Sequence, residues 1–185
     1  KDKVVFVTGG GHGIGRAYCL GFSGAGAKVV VADIDEPASL KVGKEVNSQT
    51  DAQSLSVKVD VANEPSTQNM VKLALERFGK VDILINNAAI FATIPMNRGG
   101  IDSIDPDEWD RMMSVNLKGL FFCCRAVLPA MRKQKSGKIV NISSGTALNG
   151  SAGRIHYVTS KAGVIGFTRT LAREVGDACV RPHTT

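Results

Sequence analysis

Along the 185-residue chain, short β-branched runs alternate with longer stretches of helical period. Val4 to Val7 is the first apolar run and ends in a glycine cluster from Gly9 to Gly15. A helical pattern continues to about Ser23, where Gly24-Ala25-Gly26 stops it. Lys28 to Asp33 predicts a second strand and Ala38 to about Val46 a helix. Leu55 to Val59 reads as a third strand, Glu64 to Phe78 as a helix closed by Gly79, and Val81 to Ile85 as a fourth strand. Asp105-Pro106-Asp107-Glu108 opens the longest helix. Asp105 can cap free amides, Pro106 suits the first helical position, and Glu108 stands where a capping box places a carboxylate. That helix is expected to reach about Arg132. Lys138 to Ile142 is the fifth strand, and a helix from about Tyr157 to Val175 follows a polar, glycine-containing loop.

Strands alternating with helices of this length predict an α/β fold. It would be a doubly wound parallel sheet with helices on both faces, in one domain over residues 1–185, with its ligand at the carboxyl ends of the strands. A composition of 43% hydrophobic and 22% charged residues, with mean hydropathy +0.01, is that of a globular protein. No apolar run approaches the roughly 20 residues that span a bilayer. Lys1-Asp2-Lys3 leads straight into a strand without a leader pattern, so a cytoplasmic location is expected. The net charge of +6 comes from scattered residues. Its densest group, Arg132, Lys133, Lys135 and Lys138, reads as a solvated helix end that complements the dipole. Bases and aromatics are not interleaved, so neither nucleic acid nor membrane is expected as a partner. Cys19, Cys123, Cys124 and Cys179 lack CxxC spacing and read as small buried hydrophobes, with no metal site.

The glycine cluster carries the first chemistry. Thr8-Gly9-Gly10-Gly11-His12-Gly13-Ile14-Gly15 lies between the first strand and the first helix. There a loop without side chains lets the backbone approach a pyrophosphate and presents a helix N-terminus to it. Asp33 ends the second strand, where a carboxylate would meet the adenosine ribose hydroxyls and repel a 2′-phosphate. A strand-end cap is the other use for such a residue. Ile34 follows where an NADP-selecting arginine often stands, and His12 is the nearby group able to become cationic. NAD is therefore expected over NADP.

Tyr157 and Lys161 are four apart on a predicted helix and share a face. An ammonium beside a phenol favours the phenolate, so Tyr157 is the candidate general acid/base and Lys161 its stabiliser and the ribose contact. Asn141-Ile142-Ser143-Ser144 ends the fifth strand upstream. Together with Thr8 to Gly15, Asp60-Val61, Asn86-Asn87-Ala88-Ala89 and Val115-Asn116, these segments make the chain resemble the short-chain dehydrogenase/reductase family over nearly its whole length, to about Asp177. The resemblance implies a Rossmann-type fold and hydride transfer between NAD and an alcohol or ketone. It implies that Ser144 positions the substrate oxygen while Ser143 faces away, and that Asn116 holds a water relaying protons from Lys161. It further implies that Asp60 receives the adenine amino group beside Val61, and that Asn87 and Ala88 line the cofactor. Family members are commonly dimers or tetramers that pack the helices this chain retains, so a homo-oligomer is expected.

Three departures follow from the same likeness. Ala89 stands where the family usually has glycine. The segment from Phe91 to Ile104 is long for a strand-helix connection and could shape the substrate mouth, with Phe91, Ile94 and Met96 suggesting a hydrophobic substrate. After Asp177 the family continues into further strands and a substrate loop, whereas Ala178 to Thr185 begins plausibly and then becomes unlike a strand, with Pro182 removing a ladder donor. The last strands are thus expected to be missing, leaving the fifth as an exposed edge and the chain weakly active or unstable. A non-catalytic nucleotide-binding or interaction protein derived from such an enzyme is the alternative.

Overall fold

The computed structural model describes residues 1–49, 52–91 and 95–185. Six strands form one parallel sheet: β1 (Val4–Thr8), β2 (Lys28–Asp33), β3 (Gln53–Lys58), β4 (Ile83–Asn86), β5 (Gly137–Asn141) and β6 (Val180–Thr184). Their order is β3-β2-β1-β4-β5-β6. The connecting helices are α1 (Gly13–Gly24), α2 (Glu36–Asn47), α3 (Glu64–Phe78), α4 (Pro106–Met113), α5 (Gly119–Gln134), α6 (Thr146–Asn149) and α7 (Ile155–Val175). The chain winds outward from β1 to β3 and then returns to the other side of β1. The direction of winding reverses between β1 and β4, where open α/β sheets bind ligands.

Strand residues of alternate parity feed two separate cores. Val4, Phe6, Val30, Ala32, Leu84 and Ile139 pack against Met70, Ala74, Val127, Val164 and Leu171 of α3, α5 and α7. Val5, Val7, Val29, Val31 and Ile85 pack against Cys19, Val42 and Val46 of α1 and α2. Every residue of β1 is buried, which is why the central strands read as unbroken apolar runs rather than alternating ones. Phe6 is fully buried at the centre, and truncating it to alanine would cost about 3–5 kcal/mol.

Several boundaries shift for identifiable reasons. α2 starts at Glu36 because the Asp35 carboxylate accepts the Ala38 amide at 3.1 Å. β4 starts only at Ile83 because the Gln134 side chain occupies the Val81 backbone, donating to its carbonyl at 2.8 Å and accepting its amide at 3.0 Å. The long helix runs past Arg132 to Gln134, with a π turn at Ser114–Lys118 between α4 and α5. Asp105 caps it through the Asp107 amide at 2.8 Å, but Glu108 turns away and leaves the capping box unclosed.

The C-terminal expectation is corrected. Residues Val180–Thr184 form β6 and pair with β5 in register from Gly137↔Val180 to Asn141↔Thr184, so β5 is internal. Pro182 is tolerated because of its phase. The Thr185 amide donates to the Asn141 carbonyl at 3.3 Å and its carbonyl accepts the Ser143 amide at 2.8 Å, so its backbone faces β5. Alternation then turns Arg181 and His183 the same way and Pro182 outward, where an edge strand needs no donor. Cys179 is also corrected: it sits exposed in a left-handed turn with φ 55°, whereas Cys19, Cys123 and Cys124 are buried. Burial, with Asp33 nearby, pushes the Cys19 thiol up to about 12. Among the described residues no helix is long and apolar enough to cross a membrane, and no cluster of metal-ligating side chains occurs.

Candidate active site at the carboxyl ends of the strands

The loop after β1 is bare main chain by necessity. A Cβ on Gly15 would run into the Gly9 carbonyl oxygen, and one on Gly11 would stand 2.8 Å from the Ala38 Cβ. Gly9 itself has φ 64°. α1 begins without a side-chain cap at His12 and without an acid in its first turn, so its amides and positive dipole end are left for an anion. A Cβ on Gly13 would meet nothing within 4 Å, so the loop is open on that side. The donor set and cradle fit a dinucleotide pyrophosphate.

Asp33 ties this loop to β2. One carboxylate oxygen accepts the Gly11 amide at 2.8 Å and the other the Asp35 amide at 3.0 Å. Asp33 therefore does act as a strand-end cap, and it keeps lone pairs for further donors. Asp35 is a second carboxylate at this corner that sequence reading passed over. Its carboxyl is held below the usual range, mainly by the Ala38 amide and then by His12, whose Nε2 lies 3.0 Å away. Arg16 faces away onto Glu45 at 2.7 Å. Ile14 and Ile34 are both exposed.

The end of β4 supports the loop from behind. The Thr8 hydroxyl accepts the amides of Asn87 and Ala88, both at 3.1 Å. The Asn87 side chain donates to the carbonyls of Thr8 at 3.1 Å and Gly9 at 3.2 Å. Val61 packs at 2.8 Å from where a Gly119 Cβ would stand, so α5 starts close against it. Exposed Asp60 closes its own turn, accepting the Ala62 amide at 2.9 Å.

On α7, Lys161 is 4% exposed and Tyr157 6%. The Lys161 ammonium donates to the Ile142 carbonyl at 2.8 Å and lies 5.9 Å from the Tyr157 ring centroid. Burial lowers its pKa from 10.5 to about 8. Ser143 turns its hydroxyl onto the Lys161 carbonyl at 2.8 Å. Ser144 lies 2.9 Å from the Thr146 hydroxyl, and no hydrogen bond joins it to Tyr157 among the described residues. Asn116 sits buried in the π turn, accepting the Ile90 amide at 2.7 Å and donating to Ser160 at 3.2 Å. A small void lined by Thr8, Val61, Ala88, Asn116, Ile142 and Lys161 lies between the end of β1 and α7.

Besides Asp35, sequence reading passed over the Ile142 carbonyl, Ser160 and His156, and it did not foresee the stacking of Phe91. The Ile142 carbonyl and Ser160 carry no distinguishing pattern. Phe91, proposed only as an apolar wall, stacks on the Tyr157 ring with centroids 5.0 Å apart. His156, the residue before Tyr157, is fully buried. Ile94 lies outside the described residues.

A glycine cradle at the switch point of a parallel sheet, beside a helix bearing Tyr157 and Lys161, is an α/β arrangement of the Rossmann type. The chain belongs to the short chain dehydrogenase family, whose model matches residues 3–184. It is 38% identical over 179 residues to a peroxisomal hydratase-dehydrogenase-epimerase of Neurospora crassa, covering 93% of this chain and 19% of that protein. It is 36% identical to a 3-oxoacyl-[acyl-carrier-protein] reductase of Thermotoga maritima, covering 98% of this chain and 71% of the relative. The structure of NAD+-bound xylitol dehydrogenase superposes with TM-score 0.91 at 29% identity, over 98% of this chain and 68% of the other. The chain thus spans about a fifth of the first of these relatives and about two thirds of the others.

Proposed function

We propose that this chain transfers hydride between NAD and an alcohol or ketone, with Tyr157 as general acid/base. The observation that carries the reading is the Lys161 ammonium, held on the Ile142 carbonyl beside the Tyr157 ring, at the same end of the parallel sheet as the glycine loop after β1. When bound, the nicotinamide ring supplies the hydride acceptor or donor.

Gly9, Gly11, His12, Gly13, Ile14 and Gly15 would hold the pyrophosphate. Asp33 and Ile34 would take the adenosine ribose, and Asp60 and Val61 the adenine. Asn87 and Ala88 would line the cofactor where β4 ends. Two carboxylates, Asp33 and Asp35, stand at the corner where a 2′-phosphate would lie, which favours NAD. The likeness to an NAD+-bound dehydrogenase supports the same preference.

Tyr157 takes the substrate hydroxyl proton at its phenolic oxygen as the carbinol C–H bond gives up its hydride, and returns it in the reverse direction. Lys161 favours the phenolate by its charge. Ser144 orients the substrate oxygen, and Asn116, lining the same void as Lys161, leads the proton on to solvent through water. Phe91 and Met96 make an apolar surface beside Tyr157, which suits a hydrophobic substrate. An apolar groove lined by Met113, Leu117, Phe121 and Phe167 is where a second copy would pack. Unpaired cysteines fit a reducing compartment such as the cytoplasm.

Calorimetric titration with NAD and separately NADP tests the reading. NAD binding with much weaker NADP binding supports it, and binding of neither overturns it.

A further inference from the structure

We infer that Glu108 and His156 are positioning residues that pin segment 95–103 as one wall of the substrate mouth. The inference rests on the dehydrogenase reading and extends it to what holds the substrate.

The segment is folded on itself by one side chain. Asn97 donates to the Ser103 carbonyl at 2.8 Å and accepts the Gly99 amide at 2.7 Å. Ser103 adds a hydroxyl bond to the Gly100 carbonyl at 2.9 Å. This turn would move as a unit, and among the described residues it is anchored as follows. The Asn97 amide donates to Glu108 Oε1 at 2.5 Å. The same oxygen lies 3.3 Å from His156 Nε2. Gly153, with φ 70°, has no Cβ, and one there would strike the Arg98 carbonyl oxygen, so the turn lies directly on the loop before α7. Met96 packs with Ile90, Met112 and Tyr157.

The chemistry of the pair argues for a dedicated role. A carboxylate only accepts, so His156 must carry a proton on Nε2. His156 is 0% exposed and its Nδ1 has no hydrogen-bond partner among the described residues. A position serving packing alone would be filled at lower cost by an apolar side chain. Glu108 likewise forgoes the capping box its spacing would allow and reaches out of its helix instead. One oxygen thus joins the mouth segment to the residue preceding Tyr157, and the wall is registered against the reacting hydroxyl.

The test compares the full chain with Glu108→Ala, Glu108→Gln and His156→Leu. Hydrogen exchange is followed at segment 95–103 and at the strands. Removing the acceptor in Glu108→Ala should speed exchange of the Asn97 amide by about tenfold or more, leaving β1 and β4 unchanged, and Glu108→Gln should restore most of the protection. His156→Leu should speed exchange by a smaller factor. With NAD and cyclohexanol as probe substrate, Glu108→Ala should raise KM about tenfold while kcat stays within about threefold. Unchanged exchange of the segment in Glu108→Ala overturns the inference, as does a rise that extends equally into the strands. A loss confined to kcat also overturns it. Titrating NAD into each variant keeps the two readings apart: a wild type that binds no NAD sinks the dehydrogenase reading, while the exchange comparison still judges the pin.

Discussion

The corner proposed for the nucleotide and the mouth proposed for the substrate sit side by side at one end of the sheet and are built in opposite ways. The corner is backbone held by backbone and short side chains: Gly11 on Asp33, and Thr8 and Asn87 on each other's main chain. Gly9, Gly11 and Gly15 there are required by contact, so little latitude exists at those positions. The mouth is held by side chains reaching across the fold, such as Asn116 to Ile90 and Glu108 to Asn97 and His156. A ligand common to many enzymes can be met by invariant geometry, whereas a particular substrate needs walls that can vary.

The comparison is broken most strongly at the reacting hydroxyl. Tyr157→Phe should lower kcat for any active alcohol by about 10³-fold while NAD affinity, read by calorimetry, changes by less than about twofold. Equal loss of both would mean that the two regions are not separable. Within the corner, Gly15→Ala should cost about 100-fold or more in NAD affinity, because its Cβ meets the Gly9 carbonyl. Gly13→Ala, whose Cβ meets open space and whose φ of 44° is the only penalty, should cost about fivefold. Similar values for the two would refute the contact argument.

A smaller effect is expected at Asp33. Asp33→Asn keeps one acceptor oxygen and loses the other along with the charge, so NAD should weaken about tenfold and the NAD to NADP ratio should fall. A separate effect, on stability rather than on affinity, concerns Lys161, which lies where the two regions meet. Its folded pKa of about 8 is below its ordinary 10.5, so burial of the charged form costs stability fully below about pH 8. Between about pH 8 and 10.5 the unfolded chain binds more protons, so stability rises with pH, by at most about 1.4 kcal/mol per unit. Relative to Lys161→Met, the wild-type urea midpoint should therefore improve across that window, and a flat difference would contradict the burial argument.

Much of this protein was legible in its order of residues. The apolar runs and their intervening helices specify a doubly wound sheet because each element must bury one face locally. The spacing of Gly9 to Gly15, Asp33, Tyr157 and Lys161 is local too, so these candidates could be chosen without coordinates. Only the tertiary structure decided that Val180 to Thr184 continues the sheet, because Pro182 is harmless only when its phase turns it away from β5. Only the tertiary structure decided that Glu108 serves Asn97 and His156 rather than its own helix cap. Both outcomes depend on partners brought close by folding, whose competition for one oxygen or one strand edge no spacing along the chain encodes.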